Sequence, residues 1–471
     1  MKTRIAAQVL LFAGAITLIR FAIAARLEPT PLEAYYWEYA QHPSMSYLDH
    51  PGMIGWMIWL SSSVFGDGFL GMRVIPILAG AGSIVFTFLA GRRLYGEPAG
   101  RLAALLVGVV PMTFDFGARA TPDAPLLLFW TATIWALSRA LSEEGPRWWT
   151  CAGAFLGLAM LSKYHAFFIP LGMAGFLAFS PEHRRWLRRK EPWFGLLLAV
   201  AIFTPVVLWN ARHEWRSLAY QFLGRFAEDH EHTGKHLREF WRDQLLLATP
   251  VVAIWAWGAG VSTLWRWKSS PWQDRLTASL GLPMVLFFAA VAFLRYVPHH
   301  WTLAGLATLL ILSAAAAVRS GRWVLKLHAA TVALLLVGLA ALPVWEAVEP
   351  REYTTGWSRL ADEVRHEPFD FVVSPDYRVA SELGYCLRPA PACDFTAVGH
   401  PESAFQDWWK AAELAGKNAV LVFHPEHFAE DLELARRSFR HLDDPGRISI
   451  TRWGSRRVTF YLVRAQGYRP G

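Results

Sequence analysis

Acids, histidines and a lysine recur in short polar stretches between long apolar runs, and their types set what they could do. The first stretch, PLEAYYWEYAQHPSMSYLDHPGMIGW over 31–56, holds Glu33, His42, Asp49 and His50 among aromatic rings. A solvated linker would be rich in Gly, Ser, Lys and Glu. Carboxylates beside Tyr and Trp suit a surface that meets headgroups and an ionic ligand. The composition predicts a short interfacial helix that carries Glu33 and offers Tyr36 to a substrate; the alternative is an aromatic anchor without chemistry. Asp49 and His50 precede Pro51, which fixes the chain direction. A carboxylate and an imidazole can bind a phosphate or two corners of a divalent metal site. A third ligand would have to come from His213, His230, His232, His299 or His300, so the metal stays an open alternative.

Three further stretches add to the set. In ARATPDAP, Arg119 and Asp123 stand where an apolar run begins, and Asp123 suits both a helix N-terminus and a site. Lys163 in LSKYHAF has no acid near it in sequence, which favours holding a phosphate. In the WN..H.W segment, Asn210 and His213 alternate with Trp209 and Trp215. Flat rings beside hydrogen-bonding groups suit a sugar, and a membrane-surface helix suits the composition equally well. PHHW adds His299 and His300, while Arg20 and Arg73 sit near the ends of apolar runs, either snorkelling to headgroups or contacting a lipid phosphate.

The elements that must position these residues are membrane spans. The 471 residues are 54% hydrophobic with 24 Trp, and the apolar residues come in blocks. Runs near 5–25, 69–90, 102–118, 124–141, 148–161, 165–180, 193–209, 245–264, 277–294, 302–318 and 323–345 give eleven candidate spans. The first follows MKTR without a cleavage site and is expected to stay. The net charge of +8 is carried by short loops and reports orientation, so nucleic acid is not an expected partner. Basic loops alternate without exception. The loops bearing the acids and histidines, and the C-terminal region, are therefore expected on the face away from the cytoplasm. After Pro350, strand-like runs (369–374, 417–423, 447–463) alternate with helical ones, predicting a small α/β domain in which Cys386 and Cys393 could form a disulfide. The expected fold is mainly α, a polytopic membrane domain over 1–348 followed by an α/β domain over 349–471.

Taken together, the acid-AYYW motif, YLDHP, TPDAPL, LSKY, WN..H.W and PHHW resemble the polyprenyl-phosphate-sugar-dependent GT-C glycosyltransferases, the superfamily of protein O-mannosyltransferases and the lipid A aminoarabinose transferase. The likeness runs to about residue 318, and DYRVASELGYCL (376–387) is similar to the soluble tail of bacterial members. It implies eleven to thirteen spans, a sugar donor on polyprenyl (undecaprenyl) phosphate and an inverting transfer. It also implies a bacterial inner-membrane location with the site facing the periplasm. The acceptor would be an envelope lipid or glycan such as lipid A; a protein acceptor is the alternative. A lipid-linked-sugar flippase would instead place polar residues at mid-span, and a non-catalytic assembly subunit would not need the acids.

Carried over by position, Glu33 matches the second acid of the family's Asp-Glu pair. Asp49 and His50 match its acid-basic-Pro element, Asp123 the acid of the third outer segment, and Lys163 the lysine of the LSK element. The first acid of the pair, the one assigned as base, is Leu32 here. Glu33 or Asp49 must then face the acceptor, unless a phosphate acceptor arrives already deprotonated. Lys163, His50 and Arg73 are expected to hold the leaving phosphate, Asp123 to support the site, and Tyr36, Asn210, His213 and His300 to contact substrate. The whole set is expected to converge on one cavity.

Overall fold

The computed structural model describes residues 2–142, 145–222, 224, 233–348, 356–394, 403–452 and 456–470. His230 and His232 lie outside the described residues. In an apolar solvent each backbone N–H and C=O must be paired within its own segment, so the long apolar runs fold as helices. In chain order they are α1 (Lys2–Ala24), α2 (Pro31–Gln41), α3 (Met53–Phe65), α4 (Val74–Tyr95), α5 (Glu97–Val109), α6 (Pro111–Phe116), α7 (Asp123–Leu141) and α8 (Arg147–Ser162). They continue with α9 (Phe168–Phe179), α10 (Lys190–Arg212), α11 (Arg216–Phe222), α12 (Thr233–Ala248), α13 (Pro250–Trp265), α14 (Trp272–Val291), α15 (Leu303–Arg319) and α16 (Arg322–Val348).

The chain is a multi-span membrane protein, and the count of eleven is not confirmed. Seven helices among the described residues are long and apolar enough to cross a bilayer. An eighth is added if Gly234–Leu247 and Pro250–Trp265, bent by 108°, form one broken span. The physical reason lies in three runs. Pro111 divides 102–118 into α5 and α6, α8 has 16 residues, and α9 has 12. At about 1.5 Å per residue, none reaches the roughly 30 Å of a hydrocarbon core.

Contacts divide the chain into two compact units. The first takes Met1–Ala22, His50–Ile54 and Arg73–Ala340. Within it α7 packs on α4 and α8, α8 on α10, and α14 on α9 and α15. Glycine permits the closest of these crossings: a Cβ on Gly153 in α8 would stand 2.0 Å from the carbonyl oxygen of Gly195 in α10. Arg20 corrects its sequence reading. It does not reach a headgroup, being 0% exposed. Its Nη2 donates to the Thr113 carbonyl (3.1 Å), its guanidinium lies over the Phe114 ring, and Gly80 and Gly117 are bare of side chains where it passes.

The second unit takes Ile23–Asp49, Gly55–Met72 and Ala341–Gly471; the expected division at 348/349 did not assign the two early stretches to it. Its centre is a six-stranded sheet of β1 (Phe371–Ser374), β2 (Ala392–Asp394), β3 (Ala419–Phe423), β4 (Phe439–Leu442), β5 (Gly446–Arg452) and β6 (Arg456–Tyr468). The order is β2-β1-β3-β6-β4, with β5 also on β6. The strand-like runs of the sequence are β1, β3, β5 and β6. β1 and β2 are parallel, joined through α18 (Tyr377–Leu387), as a crossover requires. α17 (Trp357–Arg365) and α18 close an apolar core with Leu360, Val372, Leu383, Val420 and Leu462. The N-terminus of α17 is held by Glu28, whose Oε2 accepts from the Gly356 N–H at 2.8 Å and the Trp357 N–H at 3.2 Å.

The disulfide is not formed. Cys386 and Cys393 are both free, because Cys393 lies on β2 with its Sγ toward the Val372 carbonyl while Cys386 lies on α18. Burial pushes the Cys386 thiol up to about 12 and raises that of Cys393 as well. Because the thiolate is the nucleophile, we expect iodoacetamide at pH 8 to modify both at least roughly a hundredfold more slowly than a model thiol until the chain is denatured, as read by mass spectrometry of the peptides.

Candidate functional site

In the second unit, α2 forms because Thr30 and Glu33 make a reciprocal cap. The Glu33 N–H donates to Thr30 Oγ1 (3.4 Å), and Glu33 Oε2 accepts from the Thr30 N–H and hydroxyl, each at 3.1 Å. The helix is not the aromatic surface expected. Tyr35, Tyr36, Trp37 and Tyr39 are all buried, and α2 packs on α18 and on the rings of Trp408 and Phe405 in α19 (Phe405–Trp408). The apolar area of four rings is better removed from water and lipid headgroups alike when a protein surface of matching shape is present.

Asp49 is the acid this arrangement presents. Tyr35 and Tyr39, one helical turn apart on α2, both donate their hydroxyls to Asp49 Oδ2, the latter at 3.2 Å. The Tyr35 oxygen in turn accepts from the Ala404 N–H at 2.9 Å. Burial, reinforced by the Asp49 charge, holds the Tyr35 phenol well above its usual range, and burial does the same for Tyr39, so both remain donors at neutral pH. The carboxylate is fixed by two phenols that the sequence reading did not single out; the i, i+4 tyrosines of EAYYWEYA were the signal.

Glu38, on the same helix, is buried with its Oε1 where a Cβ on Gly384 would fall, and burial pushes its carboxyl up to about 8. A folded-state value above the ordinary 4.5 means that stability is fully present below about 4.5 and is lost as pH rises through about 8. Glu38→Gln removes that slope. The variant is expected to melt a few degrees above the parent at pH 9 and level with it at pH 4, by calorimetry in detergent. A difference that stays constant with pH would show that Glu38 is not held as the neutral acid.

In the first unit, Lys163 and Asp123 answer the question the sequence left open. Antiparallel packing of α7 on α8 brings the lysine Nζ to 2.8 and 3.0 Å from the two Asp123 oxygens, 40 residues away, and both residues are 2% exposed. Lys163 therefore has an acid partner after all, invisible as a sequence neighbour. Histidines gather about the pair. Lys163, His299, His165 and His50 all lie within electrostatic reach of His300, and Asp123 within that of His299. His300 stacks on Phe116 at 4.6 Å, and the His299 carbonyl is tied to Gln244 Nε2 at 3.0 Å. Arg73 is buried immediately before α4, and Arg119 pairs with Asp115 at 2.9 Å. The structure thus groups His50, Asp123, Lys163 and His300 in one unit, and Glu33, Tyr36 and Asp49 in the other.

Asn210 and His213, expected to contact substrate, are each held by neighbouring backbone. Asn210 is fully buried, its Nδ2 donating to the Val206 carbonyl (3.0 Å) and its Oδ1 accepting from the Leu218 N–H (3.1 Å), which ties α10 to α11. His213 stacks on Trp209 at 4.0 Å with its Nδ1 2.8 Å from the Trp209 carbonyl oxygen. The WN..H.W pattern ends a helix. Among the described residues no three of His, Cys, Asp and Glu converge as metal ligands, and two of the third ligands considered from sequence, His230 and His232, lie outside those residues.

Comparison with solved structures places this architecture. The chain is similar to ArnT from Cupriavidus metallidurans in its apo state, with a TM-score of 0.66 at 14% identity over 97% of this chain and 98% of that one. A family model described as dolichyl-phosphate-mannose-protein mannosyltransferase matches residues 49–209. The chain has the GT-C fold. Other GT-C likenesses extend the picture. ArnT of the same organism bound to undecaprenyl phosphate aligns with a TM-score of 0.65 at 16% identity, covering 97% of this chain and 98% of that one. The archaeal oligosaccharyltransferase AglB from Archaeoglobus fulgidus aligns with 0.54 at 12% identity, covering 99% and 74%. An undecaprenyl phosphate-alpha-4-amino-4-deoxy-L-arabinose arabinosyl transferase of Pseudomonas aeruginosa is 28% identical over 271 residues, 55% of this chain and 47% of the relative. The counterpart in Edwardsiella ictaluri is 28% identical over 218 residues, 44% and 38%. The chain spans about half the length of the curated relatives it matches.

Proposed function

We propose that this chain is a glycosyltransferase that moves one sugar from undecaprenyl phosphate to an envelope acceptor, lipid A or another lipid or glycan, at the periplasmic face of the bacterial inner membrane. The observation that carries the reading is the buried Asp123–Lys163 pair ringed by histidines, in a fold shared with a structure that holds undecaprenyl phosphate. The relatives named as arabinosyl transferases acting on an undecaprenyl-phosphate sugar support the donor class.

In the transfer, the bond from C1 of the sugar to the phosphate oxygen breaks and a bond from C1 to the acceptor oxygen forms. Negative charge grows on the departing phosphate, so Lys163, His50 and Arg73 are its natural contacts, with His300 beside them. Asp123 holds the Lys163 ammonium in position. An acceptor hydroxyl must lose its proton, and Asp49, held by Tyr35 and Tyr39, is better built to take it than Glu33, whose Oε2 already caps α2. With Leu32 in the position of the family's first acid, Asp49 is the carboxylate of choice. A protein acceptor is the second reading, favoured by the mannosyltransferase model over 49–209.

The test is mass spectrometry of lipids co-purified with the full chain, followed by transfer in proteoliposomes supplied with the lipid-linked sugar so identified. Retention of a sugar-bearing undecaprenyl phosphate that is consumed on adding lipid A is the expected result. A purified chain that carries no polyprenyl lipid and turns none over would overturn the proposal.

A further inference from the structure

A second polar feature of the first unit lies at the end of the spans opposite Lys163. α9 leads away from Lys163 to Phe179, and there the Ser180–Arg189 loop meets the connection between α13 and α14. A cavity of about 770 Å³ opens at this junction, between α9, α13 and α14. Its floor is apolar: Gly172 and Gly175 on α9, and Leu282 and Leu286 on α14. Its loop end is cationic, with Arg184, Lys268 and Arg275 against the one carboxylate of Glu182.

Arg275 is the informative member. It is 6% exposed, its Nη2 pairs with Glu182, its guanidinium stands 5.7 Å from the Trp267 ring centroid, and its Nε–H meets no acceptor among the described residues. A buried donor left without an acceptor destabilises a fold by about 1–3 kcal/mol, so such groups are kept where something else satisfies them. Trp267, its Nε1 donating to the Phe179 carbonyl at 2.8 Å, fixes the wall on which Arg275 rests.

We propose that this cavity binds an anionic phospholipid of the surrounding bilayer, its phosphodiester on Arg184, Lys268 and Arg275 and one acyl chain along Gly172, Gly175, Leu282 and Leu286. Two features choose a lipid over a free anion. The apolar floor is continuous with the cations, and Leu171, Phe179 and Leu286 beside it are exposed, as residues facing hydrocarbon are. Three cations against one carboxylate leave a surplus that a single phosphodiester complements, and a zwitterionic headgroup complements it less well. Gly175 keeps the groove open, since a Cβ there meets nothing within 4 Å.

Native mass spectrometry of the purified full chain, titrated with phosphatidylglycerol or phosphatidylcholine, tests the assignment. Phosphatidylglycerol adducts are expected at least about fivefold more abundant at equal lipid, and millimolar inorganic phosphate is expected not to displace them. Arg184→Gln with Lys268→Gln is expected to abolish the preference. Gly175→Leu, which leaves every charge in place, is expected to reduce binding of both lipids about fivefold. Melting curves matched to the parent certify each variant, and the unsubstituted chain's preference and phosphate competition stand without them. Equal binding of the two lipids overturns the proposal as unselective solvation by lipid. Displacement by phosphate overturns it in favour of a small-anion site.

Discussion

Asp49→Asn lowers sugar transfer by about 10²–10⁴-fold, the range over which a positioned base accelerates proton removal, while leaving the chain folded. The amide keeps the shape that Tyr35 and Tyr39 grip but cannot accept the acceptor's proton. Glu33→Gln lowers transfer far less, because what it weakens is the cap of α2, worth about 1 kcal/mol. Tyr35→Phe and Tyr39→Phe fall between, about tenfold each, with kcat reduced and KM unchanged, since each loosens the carboxylate without touching the bound substrate. The measurement is transfer in proteoliposomes under saturating donor. Asp49→Asn activity within threefold of the parent sinks the base assignment and points to an acceptor that arrives ionised.

Lys163→Met gives the second large effect, and here stability and activity separate. Removing the lysine leaves the Asp123 carboxylate buried without its partner, which destabilises the first unit by about 3–5 kcal/mol. Replacing both, Asp123→Asn with Lys163→Met, removes the uncompensated charge and restores melting to within about 1–2 kcal/mol of the parent, because a buried ion pair adds little net stability. Transfer stays low in both variants, since neither restores the Lys163 cation to the departing phosphate and His50 and Arg73 remain without it. A double variant that melts normally and transfers sugar at the parental rate would make the pair a strut and nothing more.

What could be read from the residues follows the physics of each feature. Run length revealed the helices, since lipid leaves a backbone no other way to pair its polar groups, but it does not fix how many cross where Pro111 interrupts one run and α8 and α9 are short. Lys163 and Asp123 were both identified as site residues, yet their pairing depends on the register of α7 against α8, which sequence neighbours do not report. Glu33 has a local duty that the sequence does show: T-P-L-E at 30–33 is a legible capping box. The tyrosines of α2 looked like a lipid-facing belt because burial by segments more than 300 residues away leaves no local trace. The duties of Glu28 at the start of α17 and of Asn210 between α10 and α11 were hidden for the same reason: each is defined by the backbone it caps or ties.

Arg20 constrains how the protein is made. Its acceptor among the described residues, the Thr113 carbonyl, is 93 residues downstream, so when α1 leaves the ribosome that partner has not yet been made. Near the end of α1 an unmatched arginine raises insertion free energy by less than the roughly 2.5–3.5 kcal/mol of a helix centre, and the contact to Thr113 removes that remainder. The final seat of α1 therefore exists only once α4 to α6, with Gly80 and Gly117 beside the guanidinium, have been made.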